Sequence, residues 1–504
     1  MTARKSAPDN ARLAAMLEEV ADRLERERAD RYRVLAYRRA ARSIGRHPRP
    51  LAEMVQAGQA LTALPNVGPH LESLLVELVR TGKIPTLKPV ADRPKAGRAR
   101  QRTFLRPLLA PLVDALVEDL GRVPGVRAVE PAGAYRRRAE TVEGLDLVVA
   151  CARPEETLRA WAGRLALPGE TDDAGTTLRI TTSDRLPVAV RFVRHLGPAL
   201  VEATGSEAHL EALRLRAKER KVAWPAAGAT EAAVYRRLGL PPIPPELREG
   251  DGEIEAAASG KLPELVELAD LRGDLHMHTD ATDGTTGIAE MAEAARRRGL
   301  SYVAITDHTQ RTGIARGLSP AAMREHLRRI DAANDDAEGI TILKGAEVDI
   351  LRRGLDLPDD VLDRLDVVVC SLHHRDGQDG PELTRRILHA MEHPRAQILG
   401  HPTGRRIGRR APIGLDWGKL LDSALDHGWA IEVNGQPERL DPPAPVLRRA
   451  AALGVPFAID SDAHGTGELQ FQENAVSHAR RGWIPRKQVL NAGTLRQMKS
   501  RLRR

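Results

Sequence analysis

The chain has 504 residues, of which 42% are hydrophobic and 29% charged, and it contains two cysteines, Cys151 and Cys370. That length allows roughly three domains of about 150 residues each, and the composition excludes wholesale disorder. So few cysteines exclude a disulfide scaffold and a thiolate zinc site and suit a reducing cytoplasm. The net charge of +8 sits at the ends: residues 1–50 balance to +6 and residues 479–504 to +9, which leaves the interior near −7. Basic ends fit two readings, a polyanion gripped by arginine forks or a merely solubilising surface, and the 66 arginines against 11 lysines suit the first.

In chain order, Leu13, Leu17, Val20 and Leu24 recur at spacings of three and four, so residues 11–45 are expected to be helical. Leu64-Pro65-Asn66-Val67-Gly68-Pro69-His70 follows, then an apolar periodic run from Leu71 to Val79 and a stop at Gly82. This is a hairpin between helices. Its free amides can hold a DNA phosphate around Asn66 and Gly68, or it is a simple connecting turn. Lys88 to Arg102 reads as a linker.

Residues 107–120 return to helix, and strands at Leu145–Ala150, Leu178–Thr182 and Pro187–Val193 alternate with helices to about Leu240. Pro241-Pro242-Ile243-Pro244-Pro245 forces an extended connector. From about Asp270, short apolar strands alternate with helices of 10–15 residues, the pattern of a parallel α/β barrel or sheet. No apolar run approaches the roughly 20 residues of a membrane span, and MTARKSAPDN lacks the apolar core of a signal peptide. A cytoplasmic, nucleoid-associated protein is expected.

The strands of this last module repeatedly end in His, Asp or Glu. Leu275 leads to His276 and His278, with Asp283 five residues on; Ile305 leads to Asp307-His308, and Leu343 to Glu347. Cys370 leads to His373-His374, Leu399 to His401, and Ile459 to Asp460, Asp462 and His464. Parallel α/β barrels gather strand C-termini at one mouth, where these side chains can converge. Burying so many ionisable groups together without a cation is prohibitively costly, and the mixed imidazole and carboxylate donors suit Zn, Mn or Fe.

Asp274-Leu275-His276-Met277-His278-Thr279, Thr306-Asp307-His308, Gly345-Ala346-Glu347, Ser371-Leu372-His373, Gly400-His401-Pro402-Thr403-Gly404 and Asp460-Ser461-Asp462-Ala463-His464 resemble the PHP (polymerase and histidinol phosphatase) phosphoesterases. The resemblance implies a distorted (β/α)7 barrel in which His276, His278, Asp283, His308, Glu347, His373, His401, Asp462 and His464 hold three divalent ions. Glu347 would bridge two of them. Arg405 and Arg439, just beyond these motifs, are candidates to hold a scissile phosphate or are surface arginines. Asn434 is a candidate to orient ligands at its strand end.

The resemblance extends to bacterial family X DNA polymerases with a C-terminal PHP domain. Ala36-Tyr37-Arg38-Arg39-Ala40-Ala41 resembles their DNA-end-binding helical domain, and Gly133-Ala134-Tyr135-Arg136-Arg137 their palm. Gly205-Ser206-Glu207-Ala208-His209 resembles the thumb entry, and Leu247-Arg248-Glu249 the approach to PHP. The implied architecture is multidomain. It has an α-helical helix-hairpin-helix domain at 1–90, a linker at 91–103, an α+β palm and thumb at 104–245, a connector at 246–269 and the PHP barrel at 270–504. Arg136 and Arg137 become candidate DNA contacts with Asn66 and Gly68.

Departures from that family bear on activity. Nucleotidyl transfer needs three carboxylates around paired Mg ions. Here the Asp-x-Asp position reads Gly144-Leu145-Asp146, the third acid is replaced by Ala189, and the serine expected after Gly133 is Ala134. Glu143 and Asp184 lie near without occupying the required strand position. The usual second hairpin is missing, and Ser73 stands near the position of a lyase-type lysine.

The expected function is therefore a PHP phosphoesterase, a DNA 3′-5′ exonuclease or 3′-end processing enzyme in repair, with an inactive polymerase-like module as DNA platform. It is expected to be a monomer acting on DNA with 3′ ends or gaps. Three alternatives stand beside it. They are gap-filling synthesis with PHP proofreading, a histidinol-phosphatase-like activity on small monoesters, and a DNA-end scaffold with structural metals. Incorporation of dNTPs, preference for histidinol phosphate, and binding without turnover would separate them.

Overall fold

The computed structural model describes residues 8–26, 31–45, 47, 49–56, 61, 75–76, 78–79, 102–165, 169–182, 184–226 and 228–502. The chain divides into two compact units, residues 1–100 and 101–504. Asn66, Gly68, Ser73, the hairpin turn and nearly all of the linker lie outside the described residues.

In the first unit α1 (Asn10–Arg26) begins where the Asp9 carboxylate accepts the Arg12 amide at 2.7 Å, an N-terminal cap. Its apolar stripe of Leu13, Met16, Leu17 and Val20 packs on Tyr37, Ala40, Ala41 and Ile44 of α2 (Arg31–Gly45). The Asn10 amide spans to the carbonyls of His47 and Arg49 and so ties α1 to the start of α3 (Leu51–Gln56).

The second unit opens with a five-stranded sheet. Its strands are β1 (Val126–Pro131), β2 (Leu145–Cys151), β3 (Gly169–Thr171), β4 (Thr177–Thr181) and β5 (Pro187–Val193), in the order β1-β2-β5-β4-β3. Only β2 and β5 run parallel. Trp161, Phe192, Leu147 and Val190 centre the core beneath. Helices Glu207–Glu219 and Glu231–Arg237 follow, each started by a hydroxyl cap, Ser206 on the His209 amide and Thr230 on the Ala233 amide.

Beside a short antiparallel pair, Phe104–Leu105 with Thr141–Val142, the unit holds the strands β6 (Gly273–Asp274), β7 (Tyr302–Ile305), β8 (Thr341–Asp349), β9 (Val367–Ser371), β10 (Ile398–Leu399), β11 (Ala430–Asn434) and β12 (Phe457–Asp460). All seven are parallel and stand in sequence order. A bridge between Met277 and Ala463 and the bond from the Asp462 amide to the His276 carbonyl nearly close the ring. Strand residues therefore alternate between two cores. Leu275, Ala304, Leu343, Val369, Ile398 and Ala458 fill the barrel, while Val303, Val348, Cys370, Ile431 and Ile459 pack outward on the helices.

The floor of the barrel is sealed by the last helix, Leu495–Leu502, whose Met498 and Leu502 join the interior cluster. This bears on the basic C-terminus expected to meet a polyanion. Arg480, Arg481, Arg486 and Lys499 pair with Glu246, Glu249, Asp270 and Asp366, and Arg501 donates to the carbonyls of Val489 and Gln488. Most of that positive charge holds the chain's own elements together.

Candidate metal centre

At the C-terminal mouth of the barrel the nine expected donors come together around Glu347. This side chain is fully buried at the end of β8, whose residues 345–349 are buried on both faces. Its Oε1 lies 2.8 Å from His401 Nε2 and 3.2 Å from His373 Nε2; its Oε2 lies 2.8 Å from His308 Nδ1 and 3.6 Å from both His276 Nε2 and His278 Nε2. Asp462 Oδ1 is 3.3 Å from His278 Nε2 and 3.7 Å from His276 Nε2. Asp283 Oδ2 is 3.5 Å from both His308 Nε2 and His464 Nε2.

Three ligand-like groups emerge from these distances: His278, Asp283, His308 and His464; His276, His278 and Glu347; His308, Glu347 and His373. The donors satisfy a simple test for cations. Both Glu347 oxygens, His278 Nδ1 and His308 Nδ1 are buried and make no hydrogen bond of good geometry, although an imidazole nitrogen stands 2.8 Å from each Glu347 oxygen. In a native interior polar atoms left this way are costly, and bound cations would satisfy them. The backbone at His401 (φ 24°) and Asp462 (φ 53°) is left-handed in residues with side chains, strain of the sort that collects at functional sites.

Electrostatics within the cluster follow from this crowding. Burial opposes a charge on His308, His373 and His464, but the carboxylates beside them prevail: Glu347 and Asp283 raise His308 to about 10, Glu347 and Asp349 raise His373 to about 9, and Asp283 and Asp462 raise His464 to about 9. His278 goes the other way, to about 4, through burial and the neighbouring His464 and His308. Burial disfavours ionised Glu347, yet the surrounding imidazoles hold its acid well below the usual range.

A second layer of acids was not assigned any role from the sequence. Glu432 of β11 accepts His276 Nδ1 at 2.6 Å and the His401 amide at 2.5 Å. Asp349 lies 3.2 Å from His373 Nδ1 and accepts the Thr312 hydroxyl at 2.5 Å. Asp307 accepts the Thr279 hydroxyl at 2.6 Å and lies 2.8 Å from His326. Such partners fix ring orientation and raise ligand basicity. A signal existed, since Glu432 and Asn434, like Glu347 and Asp349, share a strand face by their spacing of two.

The other expected site residues fall differently. Asn434 donates from Nδ2 to Asp462 Oδ2 at 3.0 Å, and Arg439 Nε lies 3.6 Å from the same oxygen. Arg405 does not face the centre. It is buried, forks onto Glu140 at 2.8 and 3.1 Å, and donates to the carbonyls of Arg439 and Leu440, so it is not available to a scissile phosphate. Arg136 and Arg137 are likewise engaged internally. Arg136 forks onto Glu231 at 2.7 and 2.8 Å, and Arg137 reaches Glu249 at 3.1 Å and the Thr204 carbonyl at 2.8 Å. All three arginines are thus paired with acids of the chain itself.

On the five-stranded sheet the missing acids can be located. Asp146 of β2 pairs in register with Ala189 of β5, Ala189 with Arg179 of β4, and Arg179 with Glu170 of β3. The row thus reads acid, alanine, arginine, acid. Gly133 (φ 60°) packs directly on the Asp146 carboxylate, where any side chain would collide. Glu143 precedes β2 and Asp184 sits in the turn before β5, neither on a strand.

Three family models match the chain: the helix-hairpin-helix domain over residues 8–84, the DNA polymerase beta thumb over 199–249 and the PHP domain over 274–405. The chain is 35% identical to the DNA polymerase/3′-5′ exonuclease PolX of Bacillus subtilis (strain 168) over 404 residues, 77% of this chain and 70% of that one. The chain belongs to the PolX family. The barrel region of this PolX-family chain also matches, at 30% identity over 233 residues, a probable phosphatase of Thermoanaerobacter sp. (strain X514), covering 43% of this chain and 89% of that one. A probable phosphatase of Syntrophotalea carbinolica matches at 30% over 230 residues, 43% of this chain and 90% of that one. The PHP module of a PolX-family protein thus has free-standing phosphatase relatives, which supports phosphoester hydrolysis at this mouth. The helix-hairpin-helix and thumb matches support DNA binding. Among the described residues no helix is long and apolar enough to cross a membrane.

Proposed function

We propose that this protein is a divalent-metal-dependent phosphoesterase that removes nucleotides from DNA 3′ ends in repair, with three Mn, Zn or Fe ions at the barrel mouth. The observation that carries this reading is the crowding of five imidazoles within 3.6 Å of the buried Glu347 carboxylate, with Asp283, Asp462 and His464 beside those rings. Bound cations would supply a hydroxide from water and neutralise a departing alkoxide. The chain's own residues do the rest. Glu432 and Asp349 hold His276 and His373 in one orientation, Asn434 holds Asp462, and Arg439 places a positive charge beside Asp462 at the edge of the site. The name of the B. subtilis relative, which includes a 3′-5′ exonuclease, supports DNA as the substrate class.

The same proposal holds that the palm does not polymerise. A lone Asp146 beside Ala189 cannot neutralise the charge that develops between two phosphoryl oxygens. The palm and thumb serve instead as a platform, joined to the barrel through Arg405–Glu140 and Arg481–Glu249. Hydrolysis of a labelled single-stranded and a gapped oligonucleotide, with Mn, Zn or Fe in turn, tests the reading. Stepwise 3′ shortening lost in His276→Ala is expected. No shortening with any of the three metals would overturn it.

A further inference from the structure

Beside the metal mouth lies a cavity of about 540 Å³ lined by Arg352, Arg353, Arg385, Arg386, Gln378 and Glu382. A loop and a helix beyond the strand C-termini build it. Arg352 and Arg353 follow β8, three and four residues after Asp349; Arg385 and Arg386 lie on helix Gly380–Met391, which follows the His373 loop. Arg386 is 4% exposed and anchors the cavity to the centre: it donates to the carbonyl of Ile350, next to Asp349, and at 2.9 Å to that of His374, next to His373.

The cations here exceed their acids. Asp376 is shared by Arg386 at 3.2 Å and Arg311 at 2.8 Å, and Glu382 caps its own helix by accepting the Asp379 amide. Among the described residues Arg352 donates only to the Asp376 carbonyl, at 2.7 Å. Among the described residues no acid pairs with Arg353 or Arg385, both exposed. The Nε of Arg386 is buried and donates to nothing. Like charges brought together around an orphaned guanidinium donor are unfavourable alone and become favourable with an anion between them. Arginine forks match phosphate oxygens in pairs.

We infer that this cavity is a subsite for the backbone phosphates of the single DNA strand whose 3′ end occupies the metal centre. The inference rests on the proposed function for that strand's identity. A strand entering the mouth has to leave it again on the 5′ side, and this cavity borders the mouth at the His373 edge. A free phosphate or a small monoester offers the same anionic oxygens but no continuing strand, so substrate length separates the two.

The test uses the full-length chain and the exposed pair as the double variant R352A/R385A, with R352K/R385K as the charge-preserving control. Binding of a fluorescent single-stranded dodecanucleotide is followed by anisotropy in EDTA across a salt series. Loss of two phosphate contacts should lower the slope of log affinity against log salt by about 1.4, and the lysine pair should restore it. With Mn present, the preference for a dodecanucleotide over a dinucleotide, expressed as KM, should shrink about tenfold in the alanine pair. A salt slope and a length preference equal to those of the unaltered chain would overturn the subsite. If the unaltered chain cleaves no oligonucleotide, the proposed function fails, while the metal-free salt slope still decides whether the cavity holds a strand.

Discussion

Glu140 of the palm meets Arg405 of the barrel in a two-pronged ion pair at 2.8 and 3.1 Å, and Arg405 passes on to the carbonyls of Arg439 and Leu440. His478 lies beside this pair, its pKa lowered to about 4 by burial, and it is placed to donate Nε2–H to the Pro442 carbonyl at 2.7 Å. Held neutral, it leaves Arg405 as the partner charge of Glu140. The two modules therefore share a charged seam four residues beyond His401, a candidate metal donor. Removing one partner of such a pair strands the other, so Glu140→Ala should cost about 2–3 kcal/mol in urea unfolding. An unchanged midpoint would show that the seam contributes nothing.

The acids behind the histidines make a separate prediction. Glu432 touches both His276 and the His401 backbone, so Glu432→Gln keeps the shape but weakens the hold on the ring. Metal affinity, followed by competition with a chelator, should fall by about 10–100-fold. An unaffected affinity would remove Glu432 from the account.

Metal uptake should be coupled to protons with a definite sign. His308, raised to about 10, and His373 and His464, raised to about 9, carry protons near neutral pH in the metal-free protein. A cation needs their lone pairs, so binding must expel those protons. Titration of Mn or Zn at pH 7.5 in buffers of different ionisation enthalpy should show net proton release. The release should fade as pH rises through 9 to 10, and affinity should fall steadily as pH drops below about 9. No release at pH 7.5 would contradict the assignment of these rings as ligands.

The palm yields a prediction from a single register. With Ala189 beside Asp146 and Arg179 beyond it, this register places no second acid next to Asp146 on β5 for paired magnesium. Incubation with gapped DNA, Mg and dNTPs should give no extension. Template-directed incorporation would show that other acids complete the triad.

Much of the metal centre was legible because a parallel barrel converts one-dimensional order into convergence: each strand end in the sequence becomes a point on one rim. Short runs such as Val367–Ser371, closed by a histidine, sufficed to place His373 there. The partners of Arg405, Arg136 and Arg137 were not legible. Glu140, Glu231 and Glu249 lie between 95 and 265 residues away in sequence, and no periodicity announces an ion pair made across modules. For the same reason the basic C-terminus suggested a polyanion grip or a solubilising surface, when several of its arginines are clamps on acids of the connector and barrel. The arginine-lined cavity was not legible because its four cations come from the loop after β8 and the helix after β9, more than 30 residues apart in sequence.

The most direct measurement follows a 5′-labelled oligonucleotide incubated with the Mn-loaded full-length chain and, in parallel, with Glu347→Gln. Progressive loss of 3′ nucleotides, abolished by EDTA and reduced at least about a thousandfold by the substitution, is the result expected if a buried bridging carboxylate organises the hydrolytic centre. Shortening that proceeds equally in the variant, or an intact oligonucleotide with the unaltered chain, would contradict it.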